Sequence, residues 1–142
     1  MPAGPGPIGF IAFAGVKFAG YTFAAMALNR VYKSSSNVIK VGLTRTGIGL
    51  VAGAVVGAIW FGLSMALVNR WPDWLASVAF FGLLIPIRLG EWAILIHLFF
   101  DKGLVERGRA FDCAAVGSFW SFALDAIGIG AAFVVPGGFW IC

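Results

Sequence analysis

This sequence predicts an all-α, polytopic membrane protein: a four-helix transmembrane bundle with both termini on the non-cytoplasmic side. Three observations predict it. The chain of 142 residues is 61% hydrophobic and only 11% charged, where an average soluble chain is about 25% charged. Its apolar residues gather into four runs, at about 8–28, 46–68, 74–100 and 110–135, each long enough to cross a hydrocarbon core of roughly 30 Å. Its basic residues outside those runs fall almost entirely in two of the connecting loops. The length leaves room for one domain, 1–142.

The opening MPAGPGP carries no basic residue, so it does not read as a cleavable signal peptide. Its prolines make an irregular lead-in that ends where a helix can begin. In the first run, Phe10, Phe13, Lys17, Tyr21, Ala24 and Leu28 share one helical face. Lys17 lies about 13 Å from the start of that run, too deep to reach the headgroups easily by stretching. An inward, paired lysine is expected.

The segment 29–45 reads as the longest loop, with Arg30, Lys33, Lys40 and Arg45 and no acid. Ser34, Ser35, Ser36 and Asn37 mark a turn in its middle. The second run holds Gly49, Gly53 and Gly57 in two overlapping GxxxG patterns, a stripe on which a neighbouring helix can pack backbone to backbone. The short connection with Pro72 is flanked by Trp71 and Trp74, which read as an interfacial belt.

The third run is about 40 Å long as a helix. It has Pro86 inside it and sets Arg88, Glu91 and His97 in otherwise apolar surroundings. Charges so placed are tolerated only against a protein partner or water. In the fourth run Ala114, Ser118, Ser121, Asp125, Gly128 and Ala132 fall on one face. Pro136, Gly137 and Gly138 end it, with Trp140 as an anchor for the tail.

Orientation follows from the basic residues. The N-terminal tail has none and the first loop four; the second loop has Arg70 alone, the third has Lys102, Arg107 and Arg109, and the C-terminal tail none. By the positive-inside rule the first and third loops are cytoplasmic and both ends face outward. The expected setting is a cell membrane, read as the bacterial inner membrane.

Depth arithmetic then collects the buried charges. Lys17 and Asp125 come to about 13 and 15 Å from the outer boundary, with Arg88 and Glu91 at about 21 to 25 Å. Arg88 and Glu91 are three residues apart and can touch on one helix surface; Lys17 and Asp125 pair across helices. These four residues are the expected polar centre, lined further by Tyr21, Ser118 and Ser121, and their charges sum to zero. The centre is either glue that fixes which helices meet or a site visited by an ion or polar substrate.

Other chemistries fit less well. Ser118 or Ser121 with His97 and Asp125 does not assemble a hydrolytic triad, because His97 belongs near the cytoplasmic end, facing Asp101 or the interface, and Asp125 in the outer half. With a single histidine, no HxxxH and no CxxC, no metal or cofactor is expected. Cys113 and Cys142 sit at opposite ends of the last run and cannot form a disulfide with each other. The glycines of the second run lie inside an apolar helix and make no phosphate loop, and the basic loops read as an orientation signal, so no nucleic-acid partner is expected. An enzyme is therefore disfavoured. The expected function is that of a small transport or channel-type protein, oligomeric because one bundle leaves little room for a pathway. The alternative is a structural or assembly subunit of a larger membrane complex.

Overall fold

The computed structural model is all-helical and describes residues 7–67 and 72–132. Helix α1 is Pro7–Val31, α2 Val38–Leu67, α3 Asp73–Phe99 and α4 Arg107–Ala132. All four are long and apolar enough to cross a membrane. They form a square bundle: α1 packs on α2 and α4, and α3 packs on α2 and α4. Among the described residues the diagonal pairs meet only through long side chains at the centre, Arg45 of α2 reaching Ser121 of α4 and the Tyr21 ring of α1 reaching Trp92 of α3. Tail residues such as Trp140 and Cys142, and Arg70 and Trp71 in the second connection, lie outside the described residues. Trp74 is 68% exposed on the first turn of α3.

The main correction concerns 29–45. The expected long loop is only a short turn, because α1 continues to Val31 and α2 begins at Val38. Asn37 caps α2, its Oδ1 accepting the Ile39 and Lys40 N–H groups at 3.0 and 3.1 Å, which satisfies two otherwise unpaired donors. Asn29 closes the turn from the other side, donating to the Ser36 carbonyl at 2.8 Å and accepting the Ser36 N–H at 3.1 Å. Lys33 supplies the left-handed residue at φ 49°. Lys40 and Arg45 thus move from a loop into a helix, and Arg45 moves into the core.

The first and third connections meet at one end of the bundle. Ser36 Oγ donates to the Phe99 carbonyl at 2.9 Å, and the Tyr32 and Phe100 rings lie 5.7 Å apart. Burial, the neighbouring Cys113 thiol and the Asp101 carboxylate push the Tyr32 phenol up to about 12. His97 also belongs to this end. It does not face Asp101: its Nδ1 accepts the Gly103 N–H at 2.9 Å, while the Asp101 carboxylate takes the Val105 and Glu106 N–H groups.

Close helix approach uses isolated glycines. A Cβ at Gly42 of α2 would stand 2.5 Å from Thr22 Oγ1 and 3.3 Å from its Cα on α1. Gly20 of α1 receives the end of Leu124, Gly128 of α4 the ring of Phe13, and Gly117 of α4 the indole of Trp92. Each lets two backbones approach where a larger residue would separate them. The GxxxG stripe of α2 is different within this chain. Gly49 faces two guanidinium groups, and a Cβ at Gly57 would meet nothing within 4 Å. An open groove of about 700 Å³ runs between α2 and α3 on either side of the Gly49 level, lined by Thr44 and Val55 of α2 and by Pro86 and Gly90 of α3.

A buried chain of alternating charges

The centre of the bundle is built by four short stripes. In α1, Phe13, Lys17 and Tyr21 follow at intervals of four and are all buried, so one face carries them inward. In α2, Val41, Arg45 and Gly49 do the same. Helix α3 contributes Leu84, Arg88, Glu91 and Trp92, and α4 contributes Ser118, Ser121 and Asp125, again all buried. Polar residues therefore occupy the inner face of every helix at one level.

They form a single chain of opposite charges. Lys17 Nζ lies 2.7 Å from Asp125 Oδ1. Asp125 Oδ2 accepts from Arg88 Nη2 at 3.1 Å. Arg88 Nη1 donates to Glu91 Oε2 at 3.1 Å, one helical turn on. The same Glu91 oxygen is 2.7 Å from Arg45 Nη2. The order is Lys17, Asp125, Arg88, Glu91, Arg45, and it links all four helices. A buried ion pair offsets its desolvation only when geometry is good and further hydrogen bonds complete it; a carboxylate shared by two cations meets that condition here.

Ser121, with no exposed surface, is the neutral hub. Its Oγ accepts from Trp92 Nε1 at 3.0 Å and from Arg45 Nη2 at 3.2 Å, with Tyr21 Oη at 3.4 Å. The Arg45 guanidinium carbon sits 4.7 Å from the centre of the Tyr21 ring and 5.0 Å from that of Trp92, and those rings meet edge to face. Cation–π contact of this kind stabilises a desolvated guanidinium. Lys17 is held similarly, 4.5 Å from the Phe13 ring centre. Ser118 is turned away from the network, donating to the Ala114 carbonyl at 2.7 Å in its own helix.

The structure thus brings together Lys17, Arg88, Glu91 and Asp125, with Tyr21 and Ser121 beside them. It adds two residues that sequence reasoning missed. Trp92 gave no signal of its own among the aromatic residues of the third run. Arg45 did: Asn37 followed by Val38, Ile39 and Val41 is a helix start, and it places Arg45 one turn from Val41 on the same face. Arg45 also corrects the charge balance. Three cations face two carboxylates, so the centre carries a net charge of +1 instead of zero. Chemically it holds no activated nucleophile, since Ser121 is surrounded by donors and His97 is engaged at the loop end. It is equipped to hold charge. No protein-family model, curated protein or solved structure matches the chain.

Proposed function

We propose that this chain is a small integral membrane protein of the transport or channel type, whose buried charged centre is a site that a ligand visits. The observation that carries this reading is the third cation. A centre serving only as glue has no use for a surplus charge, because an uncompensated ion in low dielectric costs several kcal/mol. Inserted with its turns 32–37 and 100–106 cytoplasmic, the chain has both termini outside. Six of its basic residues (Arg30, Lys33, Lys40, Lys102, Arg107 and Arg109) then lie at the cytoplasmic end, against Arg70 at the other, which supports that orientation and a cell-membrane location, read as the bacterial inner membrane. The bundle interior is filled by side chains, so a continuous pathway requires the α2–α3 groove or a second copy against it, with Gly53 and Gly57 as the contact.

A second reading, a structural or assembly subunit, has its own support. Beyond Gly49 the large apolar side chains of α2 are exposed, Val51, Val55, Ile59, Phe61 and Leu63 among them, leaving a long helix face for a partner. Reconstitution separates the two. Ion flux into proteoliposomes above the protein-free leak is expected, together with a homo-oligomer in detergent. A monomer that passes no ion and co-purifies with other membrane proteins would move the protein to the subunit reading.

A further inference from the structure

Glu91 carries two carboxylate oxygens and commits one of them to the centre. Its Oε2 takes Arg45 at 2.7 Å and Arg88 at 3.1 Å, while Oε1 has no hydrogen-bond partner among the described residues. Oε1 is not sealed in either, unlike the Nε and Nη1 of Arg45. The open space that Glu91 borders lies between α2 and α3, in the groove of about 700 Å³ and in a small cleft beside it. Oε1 is therefore an edge of the charged chain that reaches the outer surface of the bundle.

The walls around it are apolar. Val51 and Val55 of α2 and Ile94 of α3 line the groove and are exposed, on faces that a membrane covers with lipid. Glu91 stands about 12 Å short of the end of α3 at Phe99 by the helical rise, below the headgroups. Thr44 is the other polar residue of the lining. Thr22 and Thr46 return their hydroxyls to the carbonyl four residues back; the Thr44 hydroxyl makes no hydrogen bond among the described residues. An apolar groove of several hundred Å³ with a few placed polar groups is the usual form of a small-molecule site.

Charge and solubility narrow the occupant. An acyl chain would fill the groove but leave a carboxylate oxygen facing hydrocarbon, which is costly. A cation would raise the centre from +1 to +2, and an anion would meet the Glu91 charge. A neutral donor satisfies Oε1 without changing the charge. We propose that the α2–α3 groove binds a neutral, lipid-soluble alcohol or phenol, which enters sideways from the bilayer and donates its hydroxyl hydrogen to Glu91 Oε1. Its apolar body lies along Val51, Val55 and Ile94, and Thr44 offers a second hydroxyl toward the start of α2. This goes beyond the transport reading and holds whether or not the protein passes ions.

The test is thermal unfolding of the purified full chain in detergent, titrated with 1-dodecanol and with its methyl ether. A ligand that binds only the native state raises Tm in a saturating manner. A rise of a few degrees is expected with the alcohol and little with the ether, which has the same chain and no donor. Gly47 and Gly90 line the groove, and a Cβ at either meets nothing within 4 Å. Gly47→Leu, or Gly90→Leu if the first does not fold, should fill the groove and lose the rise. Gly15→Leu on α1, equally open, should keep it. Dodecanol should also slow the modification of Glu91 by dicyclohexylcarbodiimide, read by peptide mass spectrometry. Equal shifts from alcohol and ether would reduce the groove to a seat for acyl chains and overturn the proposal. So would a wild-type rise in both groove variants, or loss of a homo-oligomer in both without any alcohol effect, which would give the groove to a second copy.

Discussion

Arg45 of α2 and Glu91 of α3 meet at 2.7 Å, and this contact ties together two helices that border an open groove. Its two members are not equivalent. Glu91 neutralises Arg88 as well as Arg45, whereas Arg45 pairs with no second carboxylate and, like Lys17, ends the run of alternating charges. Removing either therefore changes the charge of the centre in opposite directions.

Glu91→Leu leaves three buried cations with one carboxylate and should cost about 3–5 kcal/mol, the range for breaking a buried pair. Arg45→Met leaves a balanced centre and places an apolar chain against the Tyr21 and Trp92 rings. Its cost should be smaller by about 2 kcal/mol or more, since lost hydrogen bonds to Glu91 and Ser121 are offset by a removed desolvation penalty. Unfolding in a denaturing detergent mixture measures both. Equal losses would mean that Arg45 is an ordinary structural partner and that the surplus charge has no consequence.

The glycines make a second comparison. At Gly42 any side chain runs into the Thr22 backbone on α1, so Gly42→Leu should force the helices apart and cost about 1–3 kcal/mol, as overpacking does. At Gly57 there is open space, and Gly57→Leu should leave the monomer as stable or slightly more so, because leucine is the better helix former. Melting temperature with size-exclusion chromatography checks this. A loss of oligomer in Gly57→Leu alone would put the GxxxG stripe at an interface between copies, whereas tolerance of Gly42→Leu would contradict the α1–α2 packing.

What was legible in the sequence divides along physical lines. Helix number, the Lys17–Asp125 pairing and the Arg88–Glu91 contact follow from length, depth and a period of 3.6, all of which survive without tertiary knowledge. The start of α2 was hidden because Lys40, Thr44, Arg45 and Thr46 dilute the apolar signal, although the Asn37 cap stood at its head. Placing those residues in a loop removed Arg45 from the centre and made the charges appear balanced. The packing glycines were hidden for another reason. Gly20, Gly42, Gly117 and Gly128 each face one particular neighbour, so they repeat with no period, while the regular spacing of Gly49, Gly53 and Gly57 drew the eye to a face that this chain leaves mostly open.

Orientation can be read from the two thiols. Cys113 is half-buried in α4 near the basic end of the bundle, and Cys142 lies outside the described residues at the opposite terminus. With the basic end cytoplasmic, a membrane-impermeant maleimide added to whole cells should label Cys142 and spare Cys113 until the cells are opened. Labelling of Cys113 in intact cells with Cys142 protected would invert the topology.

The sharpest comparison sets Lys17 against Asp125, 2.7 Å apart. Asp125 also holds Arg88 at 3.1 Å, so Asp125→Leu takes the carboxylate from Lys17, leaves Arg88 with Glu91 alone and raises the net charge of the centre to +2. A loss of about 3–5 kcal/mol is expected. Lys17→Met leaves Asp125 paired with Arg88 and brings the centre to neutrality, so it should be the milder change. The double replacement returns the centre to its original net charge and should recover most of the Asp125→Leu loss. Unfolding of the four proteins gives the coupling energy directly, as a double-mutant cycle requires. Flux then separates glue from site. A well-folded double variant that passes ions like the wild type would make this end of the chain structural, and a well-folded, inactive one would place Lys17 and Asp125 in the pathway. Additive losses with no recovery would show that the two charges are not coupled at all.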